Sequence, residues 1–281
     1  MAKVISELEA AGLIKDGDTI GVSGFVGIGH PEALSVAIEK RFLEEGTPNN
    51  LTLMYCAGQG DGKELGLNHF GNEGMVKRVV GGHWNLAPRL GKLAVENKIE
   101  AYNFPQGTLA QWLRSIAGRK PGLISKVGLD TFVDPRIEGG KISDITKEDL
   151  VEVIELAGEE WLWYKPFPIS VALVRGTSAD ENGNITMEHE AASLEMLSMA
   201  QAAKASGGIV IAQVKRIVAN GSLKPMDVKI PGIVVDYIVV ANSMNQHMQT
   251  FAEQYNPTYS GEIRTPLSAI KPMNLDERKV I

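Results

Sequence analysis

One order of segments recurs four times in the first 118 residues: a short apolar run, a loop that contains glycine, and a stretch of helically spaced apolar residues. The four apolar runs end at Val22, Cys56, Val80 and Phe104. This repetition predicts an α/β fold with a mostly parallel sheet and helices packed on its faces. All four loops then lie at the carboxyl edge of the sheet, where such folds bind their ligands.

The repeated order of strand, loop and helix is interrupted between residues 120 and 168, where charged residues surround short β-like runs. We interpret this segment as a small antiparallel excursion at the sheet edge. Core strands are predicted to resume over 169–174, 209–214 and 233–240. We therefore predict one domain over residues 1–245. Residues 246–281 contain three prolines and little periodicity, which is typical of an extended arm or linker, and the last six resemble the beginning of another helix.

The charge and cysteine content of the chain limit the classes of partner and the compartment that can be predicted. The formal net charge of −6 gives no general attraction to nucleic acid or to anionic lipid. Neither a secretory signal nor a membrane span is visible, and the single cysteine, Cys56, has no partner for an internal disulfide. We therefore predict a cytoplasmic protein that acts on small molecules, with no nucleic-acid or membrane partner.

The first of the four loops organises the chain. Gly24, Gly27 and Gly29 have no Cβ, so backbone amides near them can approach a ligand closely, and the helix that follows adds a positive dipole. Such a turn binds a carboxylate, a phosphate or a developing oxyanion. The competing interpretation is that these glycines only allow a tight turn between strand and helix. His30 lies in this loop, which makes it the histidine with a predicted binding role.

Other motifs exclude several kinds of site. The five histidines lack HxxxH spacing, so no metal site is predicted. The GxGxxG, Walker-type and GxSxG patterns are absent, which argues against a dinucleotide site, a nucleotide P-loop and a nucleophile elbow. Residues Met187–Glu190 combine carboxylates with an imidazole, but at a charged helix entry we interpret them as solvent-facing. Gln106, between a proline and a glycine at a strand end, is well placed to bind a carboxylate.

Three motifs in register resemble the α-type half of a family I coenzyme A transferase. They are Ser23–Phe25 followed by Gly29–Pro31, the Pro-Gln-Gly-Thr loop at Pro105–Thr108, and the Ala-Asp-x-x-Gly-Asn turn at Ala179–Asn184. The likeness extends from Ile14 to about Val240 and implies a phosphosugar isomerase-like α/β fold. It is greatest to single-chain acetate or propionate CoA-transferases, which share the Met187–Glu190 segment and the Tyr255–Glu262 arm.

Two departures separate the chain from the ketoacid branch of that family. Ser23 replaces the first glycine of its Gly-Gly-Phe turn, and Tyr55-Cys56 stands where that branch has Asn-Asn. The second change argues against a 3-oxo acid substrate.

The resemblance also implies a mechanism. In this family a glutamate of the β-like half attacks an acyl-CoA and forms a mixed anhydride, the released CoA then converts it into a glutamyl-CoA thioester, and a second carboxylate resolves that thioester. No residue here matches that glutamate's motif, so we predict half of an active site, inactive without a β-like half or subunit, in a homo- or hetero-oligomer. Coenzyme A is a substrate, and no cofactor is predicted.

The residues of the predicted half-site have distinct roles. The oxyanion would be stabilised by the backbone amides of Gly24, Phe25, Val26 and Gly27. Gln106 would orient the substrate carboxylate, and Gly107 would let that carboxylate approach. The acyl and substrate pocket would be lined by Gly58, His30, Gly82 and His83.

Two other functions fit the same sequence. In an acyl-CoA hydrolase on this scaffold, water resolves the glutamyl intermediate, and product formation does not depend on a second carboxylate. A non-catalytic sugar-phosphate-binding domain would bind sugar phosphates and show no acyl exchange even with a complete partner.

Overall fold

The computed structural model describes residues 2–270 and residue 272. Fifteen strands are present in this part of the chain: β1 (Lys3–Val4), β2 (Thr19–Val22), β3 (Leu51–Met54), β4 (Val76–Gly81), β5 (Glu100–Asn103), β6 (Leu123–Ser125), β7 (Val151–Leu156), β8 (Glu159–Tyr164), β9 (Val171–Arg175), β10 (Ser178–Asp180), β11 (Ile185–Thr186), β12 (Ile209–Val214), β13 (Arg216–Val218), β14 (Val228–Ile230) and β15 (Tyr237–Val240). The α-helices are α1 (Glu7–Gly12), α2 (Glu32–Glu45), α3 (Pro88–Val95), α4 (Gln106–Ala117) and α5 (Met196–Ala205).

Eight strands form the central sheet in the order β1-β15-β12-β9-β2-β3-β4-β5, and every neighbouring pair is parallel. Helices cover both of its faces. Leu34 of α2 and Leu90 of α3 share one core cluster with Leu53, whereas Trp112 of α4 shares the opposite cluster with Met54. Adjacent residues of a strand point to opposite faces, so burial of both faces produces strands that are apolar throughout. The predicted fold, a mostly parallel sheet with flanking helices, is confirmed.

The predicted antiparallel excursion is also present. Strands β6, β8 and β7 form a three-stranded antiparallel sheet within residues 120–168. A second small sheet, in the order β13-β10-β11-β14, was not predicted. Its β10–β11 hairpin turns at Asn182-Gly183, where Gly183 has a φ of +90°, as the turn chemistry of that pair requires.

Three predicted element boundaries were wrong. The apolar spacing over Val4–Leu13 predicts a helix that begins at Val4, but Ser6 and Glu9 form a capping box that begins α1 at Glu7, so Val4 pairs with β15 as a strand. The apolar spacing also predicts a helix over Ala191–Ala205, whereas α5 begins at Met196. The predicted strand over 233–240 is a 3₁₀ turn over Gly232–Val234 and then β15.

The first part of the predicted arm packs against the domain. His247 and Gln249 are buried, and the Phe251 N–H donates to the Gly27 carbonyl at 3.0 Å. The predicted helix opening over residues 276–281 lies outside the described residues. No helix in residues 2–270 is both long enough and apolar enough to cross a membrane.

Candidate active site

The four loops that follow β2, β3, β4 and β5 are contiguous at the carboxyl edge of the sheet. They span residues 23–31, 55–66, 82–87 and 104–105. Main-chain hydrogen bonds connect them in sequence: Val26 N–H to Gly58 O at 2.8 Å, Gly62 N–H to Leu86 O at 3.1 Å, and Phe104 N–H to Gly81 O, in the last residue of β4, at 3.0 Å. The parallel order β2-β3-β4-β5 therefore builds one continuous rim from four separate segments.

The first loop is a tight turn in which two of the four predicted oxyanion donors are already bound to main-chain carbonyls. The Phe25 N–H donates to Ile28 O at 2.9 Å, and the Val26 N–H donates to Gly58 O. The N–H groups of Gly24 and Gly27 have no acceptor among the described residues. The prediction that Phe25 and Val26 also supply donors is therefore corrected, since their amides already bind main chain.

A buried side chain supports this turn from below. A Cβ added to Gly24 would lie 2.5 Å from Gln59 Oε1, so the backbone rests directly on that amide. Gln59 is fully buried; its Nε2 donates to Val22 O at 3.0 Å, and its Oε1 lies 2.6 Å from His30 Nδ1. Because Oε1 is an acceptor, the proton of neutral His30 sits on Nδ1, and Nε2 accepts from Ser35 Oγ at 2.8 Å.

The ring of His30 is not accessible to a ligand at the rim. Its side chain has no solvent exposure, and Gln59 and Ser35 occupy both of its ring nitrogens. The predicted substrate-binding role is therefore wrong, and His30 instead fixes the amide that supports Gly24. Burial lowers the pKa of His30 to about 4, so the ring is neutral at pH 7.

A second histidine lies nearby in the opposite charge state. His69 Nε2 lies 2.7 Å from Glu32 Oε1, and its Nδ1 contacts Glu39 at 2.5 Å. Burial alone would lower the pKa of His69, but the hydrogen bonds to Glu32 and Glu39 raise it to about 9. One imidazolium therefore joins two carboxylates of α2 to the segment that follows the second loop.

These opposite shifts predict opposite pH dependences of stability. The depressed pKa of His30 contributes stability that is complete above about pH 6.5 and is lost as pH falls towards 4. The raised pKa of His69 contributes stability that is complete below about pH 6.5 and is lost as pH rises through 9. Each effect is at most about 3 kcal/mol, since one pKa unit corresponds to about 1.4 kcal/mol.

Urea unfolding between pH 4 and 9 measures both effects. The free-energy difference between wild type and His30→Gln should grow from pH 4 to 6.5 and then level off. The difference for His69→Gln should be level at low pH and shrink from 6.5 to 9. Parallel curves for the two variants would contradict the assigned charge states.

The remaining predicted site residues divide into two groups. Gly58, Gly82 and His83 lie together: a Cβ on Gly58 would be 2.6 Å from His83 Nδ1, and one on Gly82 would be 3.2 Å from Phe104 O. Gln106 and Gly107 are exposed in the first turn of α4, with open space around Gly107. No side chain caps this helix, and no acceptor for the first N–H groups of α4 is found in the described part of the chain. The N-terminus of α4 is therefore open to a ligand.

By contrast, the N-terminus of α2 is closed. Gln213 Oε1 accepts from the Ala33 N–H at 2.9 Å and from the Leu34 N–H at 3.3 Å. The predicted contribution of this helix dipole to ligand binding is therefore corrected, because a protein amide already occupies the position. Gln213 is a polar residue inside the apolar strand β12, which was a visible sequence signal for such a role.

Sequence reasoning also missed a buried ion pair behind the turn. Arg175, the last residue of β9, donates to Glu190 Oε1 at 3.1 Å, to His30 O at 3.2 Å and to Met248 O at 2.6 Å. Glu190 is 5% exposed, so its interpretation as a solvent-facing residue was wrong. Burial alone would raise the pKa of Glu190, but the charge of Arg175 lowers it to about 2. Arg175 thereby joins the turn, the 187–190 segment and the arm.

No group of three or more histidine, cysteine, aspartate or glutamate side chains able to hold a metal is found among the described residues. The sequence profile of the coenzyme A transferase family matches residues 6–241. The chain belongs to the coenzyme A transferase family. The resemblance found in the sequence is thereby confirmed.

Known members of the coenzyme A transferase family differ in how much of their length the chain matches. It is 50% identical over 281 residues to caffeate CoA-transferase from Acetobacterium woodii. The aligned residues make up 100% of this chain and 54% of that protein. It is 30% identical over 239 residues to the acetate CoA-transferase subunit alpha of Escherichia coli (strain K12). The aligned residues make up 85% of this chain and 97% of the subunit.

A solved structure shares the fold of this coenzyme A transferase chain. The apoenzyme crystal structure of acyl-CoA transferase YdiF from Escherichia coli O157:H7 has a TM-score of 0.90 and 40% identity, over 95% of this chain and 52% of that chain. The chain thus spans about half the length of the caffeate and YdiF relatives.

Proposed function

We propose that the chain is the α-like half of an acyl-CoA:carboxylate CoA-transferase, with short acids such as acetate or propionate as the first candidate substrates. A β-like half or subunit would supply the glutamate nucleophile and complete an oligomeric enzyme. The match to nearly the whole of an acetate CoA-transferase α subunit supports this assignment. Coenzyme A would enter as a substrate, without a further cofactor.

One structural observation carries the proposal: unoccupied donors lie on the first and fourth loops of the rim at one edge of the sheet. The N–H groups of Gly24 and Gly27 have no acceptor in the described chain, and Gln106 stands at the uncapped N-terminus of α4. Acyl transfer develops negative charge on the thioester oxygen, and loss of one preorganised donor typically costs about 3–4 kcal/mol. A substrate carboxylate gains from a helix N-terminus for the same electrostatic reason.

The residues of this chain would act in both halves of the reaction. When the glutamate attacks the thioester carbon, the two glycine amides would receive the oxyanion, and they would do so again when the second carboxylate attacks. Gln106 would orient that carboxylate, and Gly107 leaves room for its approach. No observation here favours hydrolysis or sugar-phosphate binding.

The test uses the complete natural protein or subunit pair in which the chain occurs. Acetyl-CoA and labelled propionate should yield labelled propionyl-CoA. Gln106→Ala should raise the KM for the carboxylate about tenfold or more, because a hydrogen bond to a charged group is lost. Gln201→Ala, an exposed glutamine of α5, is the matched control. Release of CoA that does not depend on the second acid would instead identify a hydrolase, and sugar-phosphate binding without exchange would identify a binding domain.

A further inference from the structure

A cavity of about 540 Å³ lies between the glycine turn and the arm. Its walls include Phe25 and Val26 of the turn, Leu86 of the third loop, and Phe251 and Ala252 of the arm. Pockets of about 300–1,000 Å³ hold drug-sized ligands, so this volume greatly exceeds what an acetyl group fills.

The chemistry of the cavity suits an apolar group rather than an anion. Phe25 and Val26 are 39% and 43% exposed, so both present apolar surface to the cavity. Asp61 also lines the cavity, but its Oδ1 accepts the N–H groups of Lys63, Glu64 and Leu65 at 2.9–3.0 Å. Its charge is therefore satisfied within its own loop, and no lysine or arginine among the described residues lines the cavity.

The floor of this cavity is the part of the turn that holds a free donor. Gly27, whose N–H has no acceptor in the described chain, lines it directly. An acyl group whose carbonyl oxygen meets that donor would extend its remaining carbons into the space between the turn and the arm.

The arm wall is held firmly in place. The Phe251 N–H donates to Gly27 O at 3.0 Å, and Thr250 Oγ1 accepts from the N–H groups of Ala252 and Glu253 at 3.2 and 3.0 Å. A Cβ on Gly27 would lie 3.2 Å from a ring carbon of Phe251, so the ring packs against the turn. The ring also meets His30 edge-on, with centroids 6.2 Å apart.

We propose that this cavity receives the acyl group and that Phe251 sets the largest acyl group the enzyme accepts. The inference rests on the proposed CoA-transferase function and adds its substrate class: acids with an apolar group larger than the methyl of acetate. Each additional methylene that the acyl group buries should raise kcat/KM about fourfold, until the acyl group reaches the Phe251 ring.

The experiment measures kcat/KM of the complete enzyme for unbranched acids from acetate to hexanoate and for 3-phenylpropanoate. In wild type, the preference over acetate should rise with apolar size up to a limit. Phe251→Ala should raise the ratio of phenylpropanoate to acetate at least tenfold, and Phe251→Trp should lower it. Phe132→Ala, the same change at a half-exposed phenylalanine of the antiparallel excursion, should leave the ratio unchanged.

The outcomes separate the inference from the function beneath it. If wild type transfers CoA but the ratios agree among wild type, Phe251→Ala and Phe251→Trp, the inference is wrong and the proposed function stands. A uniform loss for every acid would show that Phe251 only supports the turn, which also overturns the specificity role. No transfer to any acid by wild type would refute both.

Discussion

The Gly24→Val variant should lose CoA transfer by a factor of about 100 to 1,000, the usual effect of removing one oxyanion donor. The new side chain would begin 2.5 Å from Gln59 Oε1. Gln59 cannot easily withdraw, since it is fully buried and bound to both Val22 O and His30. The turn must therefore move, and the Gly24 N–H moves with it.

The loss should appear in kcat more than in KM, because the donor acts mainly on the charge that develops during transfer. Steady-state assays of the complete enzyme with acetyl-CoA and propionate measure both constants. Gly91→Val is the matched control: it makes the same change within α3, at a glycine with open space around it. Circular dichroism would check that both variants stay folded. Near-normal kcat in folded Gly24→Val would refute the oxyanion assignment.

The sequence predicted the central sheet well because a parallel α/β fold repeats one local pattern of strand, loop and helix. Strands β2, β3 and β4 are short apolar runs, each followed by a loop that contains glycine, so the order of units indicated the topology. The elements that the sequence analysis missed depend on a few polar residues beside them. The two-residue strand β1 depends on the capping box of Ser6 and Glu9, which excludes Val4 from the helix.

The candidate site was predicted less completely, because a motif locates a backbone segment but does not say which groups are already bound. Phe25 and Val26 belong to the expected turn, yet their amides bind neighbouring main chain. His30 belongs to it as well, but its ring points into protein and not to the rim. Such internal partners come from distant parts of the chain: Gln59 is 29 residues from His30, and Gln213 is 180 residues from Ala33.

The buried network gives the turn a rigid support that sequence spacing does not reveal. Gln59 holds the turn from the second loop, Gln213 caps the helix that leaves it, and Arg175 binds the carbonyl of His30. A preorganised oxyanion site needs donors that do not reorient during the reaction. These three side chains are buried beneath the rim, so their replacement should affect stability first.

Arg175→Met should lower the free energy of unfolding by about 3–5 kcal/mol, the usual cost of removing one partner from a buried ion pair. The charge of Glu190 would then be buried without its cation, and the carbonyls of His30 and Met248 would lose their shared donor. Urea unfolding at pH 7 measures the change. Lys98→Met breaks an exposed pair with Glu73 and should change the free energy of unfolding far less, because solvent screens that pair.

The pH dependence identifies the cause of that loss. In wild type, the pKa of Glu190 near 2 contributes stability that is complete above about pH 4.5 and disappears as pH falls towards 2. Without Arg175 the pKa of Glu190 rises, because burial then favours the neutral acid, so this part of the acid dependence should vanish from Arg175→Met. The double variant Arg175→Met/Glu190→Met should recover part of the lost stability, since it leaves no unpaired charge. If Arg175→Met costs no more than Lys98→Met, the pair does not support the fold, and the turn must owe its rigidity to Gln59 and Gln213.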